Sequence, residues 1–201
     1  MMKTTAFIIV SAAVAVCAAL LIICEKKNTD VRKLVLTGVM TALSVAGRFV
    51  FAPFPGFKPV TAMVVLTGMY LGRSSGFMCG ALTALVSNFY FGQGPWTPFQ
   101  MLVWGLIGIV SGVMAKPLRK ERLFLSVFGI GAGIIYSLLM DIYTVIWTVG
   151  GWSWSFYAVA IASAAPYTII YAVSNVFFLQ VLAAPVGKKM ERIVKKYCFN
   201  S

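Results

Sequence analysis

The chain has 201 residues, 60% of them hydrophobic and only 11% charged, too little charge to cover a soluble domain of this size. Its formal net charge is +12, yet the basic residues cluster just beyond long apolar runs, a pattern of membrane topology and not of a nucleic-acid-binding surface. Histidine is absent, which excludes His-based triads, H-E-x-x-H zinc chemistry and haem held by His.

The first apolar run, TAFIIVSAAVAVCAALLIIC, covers residues 5–24 and is followed by EKKNTDVRK. About 20 residues at ~1.5 Å each suffice to cross a ~30 Å hydrocarbon core, so the run predicts a retained transmembrane helix. A signal peptide is the competing reading, with Lys3 as its basic start and small residues near Ala18 and Ala19. Cleavage there would leave EKKNTDVRK outside, against the bias of basic residues toward the cytoplasm. Further spans are predicted at 33–53, 59–72, 76–92, 97–115, 123–149 and 157–185. The chain therefore divides into an N-terminal transmembrane helix with a cytoplasmic linker at 1–32 and a membrane domain at 33–201 ending in a basic cytoplasmic tail. With the segment after the first span inside, 14 of the 17 basic residues are cytoplasmic, Lys3 and Lys58 are outside, and Arg48 is within a span. This predicts the N-terminus outside and the C-terminus in the cytoplasm. Cys17, Cys24, Cys79 and Cys198 show no paired spacing and read as packing residues, with no disulfide framework or metal site.

A charge at mid-membrane costs roughly 2.5–3.5 kcal/mol on insertion scales and needs a partner, a watery cavity or a function. Arg48 and Asp141 are the two such residues, both in the predicted outer half at depths within ~5 Å of one another by helical rise. A salt bridge between them and a ligand cavity lined by one or both are compatible expectations. Asn88, Gln93 and Gln100 lie toward the same side, as do Trp96, Trp104, Trp147, Trp152 and Trp154. An aromatic belt explains any one indole, but indoles gathered with amides and charges at one mouth describe a pocket for a flat or bulky ligand.

Three predicted outer loops frame that mouth. FAPFPGFKP at 51–59 carries Lys58 and reads as a lid; GQGPWTPFQ at 92–100 is a stiff corner holding Trp96 and Gln100; VGGWSWS at 149–155 supplies a Gly-Gly hinge. In the second span Gly38, Ala42 and Ala46 recur every four residues, a stripe suited either to internal packing or to docking another membrane protein. Asn175 reads as a helix-helix hydrogen bond. The chain carries no G-x-S-x-G and no G-x-x-x-x-G-K-[ST], so it has no nucleophile elbow and no P-loop of its own.

LTGVMTALSVAGR with its AxxxA element, the proline-rich loop, LVSNFYFGQGPWTPFQMLVWGLIGIVSGVMA and the span count together resemble the S component of energy-coupling factor (ECF) vitamin transporters over about residues 33–190. The GxGPWTxxQ corner is most similar to the cobalamin-type members. The resemblance implies an all-α integral membrane protein, a six-helix S-component bundle with one additional N-terminal transmembrane helix. It implies no catalysis and no cofactor, but capture of a vitamin from outside, then delivery through a transmembrane coupling protein and two cytoplasmic ATPases. By the same resemblance Ala42 and Ala46, beside Gly38, face the coupling protein, and the loops at 53–58 and 92–97 close over the ligand. Arg48, Lys58, Asn88, Gln93, Trp96, Gln100, Trp104, Asp141, Trp147 and Trp152 are the candidate substrate-binding residues. The alternative is an autonomous secondary transporter or channel acting as an oligomer. An intramembrane enzyme ranks below both, since Asp141 has no His, Ser-Lys pair or second facing carboxylate to work with.

Overall fold

The computed structural model describes residues 2–27 and 30–196, with side chains over 8–26 and 30–196; the side chains of Lys3 and Lys27, and Cys198, lie outside this set. The described chain is all-helical: α1 (Met2–Lys27), α2 (Val31–Val50), α3 (Val60–Leu71), α4 (Arg73–Phe91), α5 (Thr97–Val113), α6 (Ala115–Lys120), α7 (Arg122–Val149) and α8 (Trp154–Lys196). Helices α2 to α5, α7 and α8 form the expected six-helix bundle, and α1 is the additional helix. It packs against α4 and α5, burying Cys17 and Cys24.

Helix α3 is the axis of the bundle. All 12 of its residues are buried, enclosed chiefly by α2, α4, α5 and α8. At about 18 Å long it is too short to span a bilayer unaided, and being wrapped by other helices it needs no lipid-facing surface. Among the described residues four helices, α1, α2, α7 and α8, are long and apolar enough to cross by themselves.

Helix α2 is patterned inversely to a soluble helix. It buries Thr37, Thr41, Ser44 and Arg48 while exposing Val35, Val39, Leu43 and Val50. In lipid, polar groups find partners only inside the protein, whereas apolar side chains are at home outside. Asp30 starts this helix, its carboxylate accepting from the Arg32 N–H at 2.9 Å, which satisfies one of the orphan donors of the first turn.

The closest helix packing lies away from the stripe expected from sequence. A Cβ at Gly38 would meet nothing within 4 Å, and Ala42 and Ala46 are exposed, so that stripe is an open face of α2. Close approach occurs instead between α4 and α5, where Gly76 and Gly108 face one another so tightly that a Cβ on either would collide with the other's backbone. Gly80 likewise lies against the Trp104 and Gly105 backbone. Small residues four apart let two membrane helices meet backbone to backbone.

Two further differences concern chain ends of spans. The short α6 interrupts the basic segment between α5 and α7. Helix α8 does not stop near residue 185 but continues through Pro166 and Pro185 to Lys196, so the predicted tail is helical as far as it is described. Its 43 residues extend about 65 Å, twice the hydrocarbon thickness, which carries Lys188 to Lys196 well beyond the last apolar stretch.

Replacing Gly108 by Val should force α4 and α5 apart at a cost of about 1–3 kcal/mol or more, whereas Gly38→Ala should be neutral. Thermal unfolding of the detergent-solubilised chain checks both.

Candidate functional site

Arg48 is the anchor. It lies in the last turn of α2 and is only 9% exposed. Its Nη1 donates to Ser87 Oγ and, at 2.8 Å, to Asn88 Oδ1, both on α4. Asn88 Nδ2 in turn donates to Gln100 Oε1 at 2.8 Å and Thr97 Oγ1 at 3.0 Å on α5. Gln100 Nε2 then donates to the Tyr136 hydroxyl on α7 at 2.8 Å. One relay of hydrogen bonds thus runs from a guanidinium through two amides to a phenol and ties four helices together.

This relay borders a cavity of about 100 Å³ lined by Arg48, Lys58, Gln100, Trp104, Tyr136 and Tyr171, among others. Trp104 and Tyr136 stack with ring centroids 5.4 Å apart and an interplanar angle of 16°, and Tyr171 meets Tyr136 edge-on at 5.3 Å. The Arg48 guanidinium lies 5.3 Å from the Trp104 ring and 4.7 Å from the Phe91 ring, and Lys58 Nζ approaches Phe91 at the same 4.7 Å. Cations over aromatic faces are attracted by the ring quadrupole. Among the described residues no Asp or Glu lines the cavity, so two positive charges face a space walled by π systems.

Lys58 comes from the loop at 51–59, whose shape is set locally. Gly56 turns with φ 76° against Ile170 and Tyr171. Phe51 and Phe57 pack on Phe178 of α8 at 4.9 and 5.0 Å. The Lys58 N–H donates to Ser174 Oγ at 2.9 Å while Ser174 donates back to the Lys58 carbonyl at 3.1 Å. The loop is therefore latched to α8 and roofs the cavity. Burial lowers the Lys58 ammonium pKa below its usual range, and the neighbouring Arg48 charge lowers it further.

Of the candidate residues, Arg48, Lys58, Gln100 and Trp104 line the cavity, and Asn88 holds Arg48 and Gln100 from behind. The others are placed elsewhere. Gln93 is exposed and donates to the Leu85 carbonyl at 2.9 Å. Trp96 caps α5 at the surface, its ring over Gly94. Trp147 stacks on Tyr143, and Trp152 sits against Trp154 and Tyr157, both indoles exposed as in an interfacial belt. The ion pair between Arg48 and Asp141 is not formed: Arg48 is occupied by α4, and Asp141, buried on α7, keeps Oδ2 without a hydrogen-bond partner.

Tyr136 and Tyr171 are the site residues that the sequence reading missed. Their signal was present, since both are tyrosines in the middle of spans and not at the ends where an aromatic belt would put them. Asn175 does make the expected interhelical bond, to the Gly129 carbonyl at 3.0 Å, and also lines the cavity.

The sequence model of the family described as "ECF-type riboflavin transporter, S component" matches residues 28–192, which runs from just before α2 to near the end of α8. The chain belongs to this family. No curated protein and no solved structure matches it. As an S component it is a multi-pass membrane protein and the substrate-binding subunit of an ECF vitamin transporter, not an enzyme. The match begins after α1, so the additional helix lies outside the matched S-component segment although it packs on it through α4 and α5.

Asn88→Ala should leave Arg48 and Gln100 short of partners at a cost of about 1–3 kcal/mol and lower the thermal midpoint. Gln93→Ala, made at an exposed side chain at the same end of the bundle, should leave the midpoint unchanged.

Proposed function

We propose that this S component captures a flat heteroaromatic vitamin of the riboflavin class in the cavity between α2, α5, α7 and α8. The stacked Trp104–Tyr136 pair beside Arg48 and Lys58 carries the reading. A planar ring gains from the aromatic walls, while carbonyl oxygens and ring nitrogens along one edge accept from Arg48, Lys58 and the amides of Gln100 and Asn175. At about 100 Å³ the cavity is smaller than the ~300–1,000 Å³ usual for such ligands. Entry therefore requires the 51–59 loop to swing off Ser174, which makes that loop the lid and the exterior the side of entry.

Cobalamin is the second reading, favoured by the GQGPWTPFQ corner at 92–100. A corrinoid would demand a far wider opening of the same mouth. The basic clusters support an exterior mouth and a cytoplasmic opposite end, with the C-terminus inside. Delivery then depends on a transmembrane coupling protein and two cytoplasmic ATPases. The exposed stripe of Gly38, Ala42 and Ala46 is the face on α2 best suited to meet that coupling protein, since it is small, apolar and unfilled by this chain.

Titration of the purified, ligand-stripped chain with riboflavin or cobalamin, following tryptophan fluorescence, separates the two. We expect one riboflavin to bind per chain without ATP, and Trp104→Ala to weaken binding roughly ten-fold or more, about the cost of a lost aromatic stack. Binding of cobalamin alone selects the second reading. Failure of both, together with gradient-driven uptake by the chain alone in liposomes, overturns the proposal in favour of a secondary transporter.

Ala46→Trp should leave vitamin binding intact and abolish ATP-driven uptake in vesicles containing the coupling complex. An equal fall in binding would show that the stripe serves the bundle itself.

A further inference from the structure

A second cavity of about 850 Å³ opens at the end of the bundle opposite the aromatic one, between the end of α1, the α3–α4 turn and the α5–α6 junction. Four cations line it, Lys33, Arg73, Lys116 and Arg119, with no Asp or Glu among the lining residues. Leu20 of α1 and Ile109 of α5 extend its wall as apolar surface toward the membrane interior. Arg119 is held in place: its guanidinium donates to the Met69 carbonyl and lies 4.7 Å over the Tyr70 ring.

Asp30 acts on Lys33 from outside the cavity, which leaves an excess of positive charge around it that an anion would offset. We infer that this cavity binds the phosphate headgroup of an anionic phospholipid, with the upper part of an acyl chain lying between Leu20 and Ile109. Charge complementarity selects the headgroup, and the apolar wall selects a lipid over a soluble anion, which would leave that wall uncovered. Basic pockets between transmembrane helices on the cytoplasmic side hold acidic headgroups in this way, and the basic clusters assign this end of the bundle to the cytoplasm. The lipid would fill the space between α1 and the core, joining the additional helix to the bundle.

Native mass spectrometry of the full chain, released from detergent micelles supplemented with phosphatidylglycerol or phosphatidylcholine, tests this. One phosphatidylglycerol should be retained per chain, with phosphatidylcholine retained roughly ten-fold less. Arg73→Gln and Lys116→Gln, both at exposed side chains, should each weaken retention roughly five-fold, equivalent to about 1 kcal/mol per basic residue. The paired change Lys188→Gln and Lys189→Gln, on α8 outside the cavity, should have no effect. Equal retention of the two lipids, or equal loss from the α8 pair, overturns the site. Displacement of phosphatidylglycerol by millimolar inorganic phosphate assigns the cations to a soluble anion and overturns the lipid.

Discussion

A guanidinium buried among membrane-spanning helices has little water to solvate it, so the protein must supply partners for it. Arg48 imposes that condition here. Its bonds to Ser87 and Asn88 bring α2 onto α4, and the continuation through Gln100 to Tyr136 brings in α5 and α7. Each member satisfies the next, and a buried polar network of this kind is stabilising only when complete. The relay thus decides how four helices are rotated about their own axes, and the cavity is the space left where its charged and aromatic ends meet.

Backbone contact between α4 and α5 supports that arrangement from below. With Gly76 against Gly108 and Gly80 against the Trp104 backbone, the two helices approach closely enough for Asn88 to reach both Thr97 and Gln100. The short α3, buried along its whole length, fills the axis and leaves the polar faces of its neighbours to turn toward one another at the mouth. The inverted patterning of α2 follows from the same economy, hydroxyls and Arg48 inward, valines and leucines to lipid.

The two ends of the bundle carry the same charge sign in different settings. At one, a buried Arg48 and a half-buried Lys58 are set among aromatic rings around a small cavity. At the other, four basic residues border a cavity of about 850 Å³ whose wall also includes the apolar Leu20 and Ile109. Between them the small-residue face of α2 lines neither cavity and is exposed.

By itself the sequence determined that the chain is a bundle of membrane helices and roughly where each begins, and it set ten candidate residues toward one end, of which Arg48, Lys58, Gln100 and Trp104 line the cavity. Apolar length and the clustering of Lys and Arg act locally, one span at a time, and are therefore readable without a fold. Only the tertiary structure decided that Arg48 pairs with Asn88, 40 residues away, and not with Asp141, and that Tyr136 and Tyr171 complete the cavity while Trp147 and Trp152 do not. Those choices depend on the rotation of each helix about its axis and on which helices touch, and hydropathy is silent on both. Depth in the membrane can be counted along the chain; the direction a side chain faces is settled by close packing with distant segments.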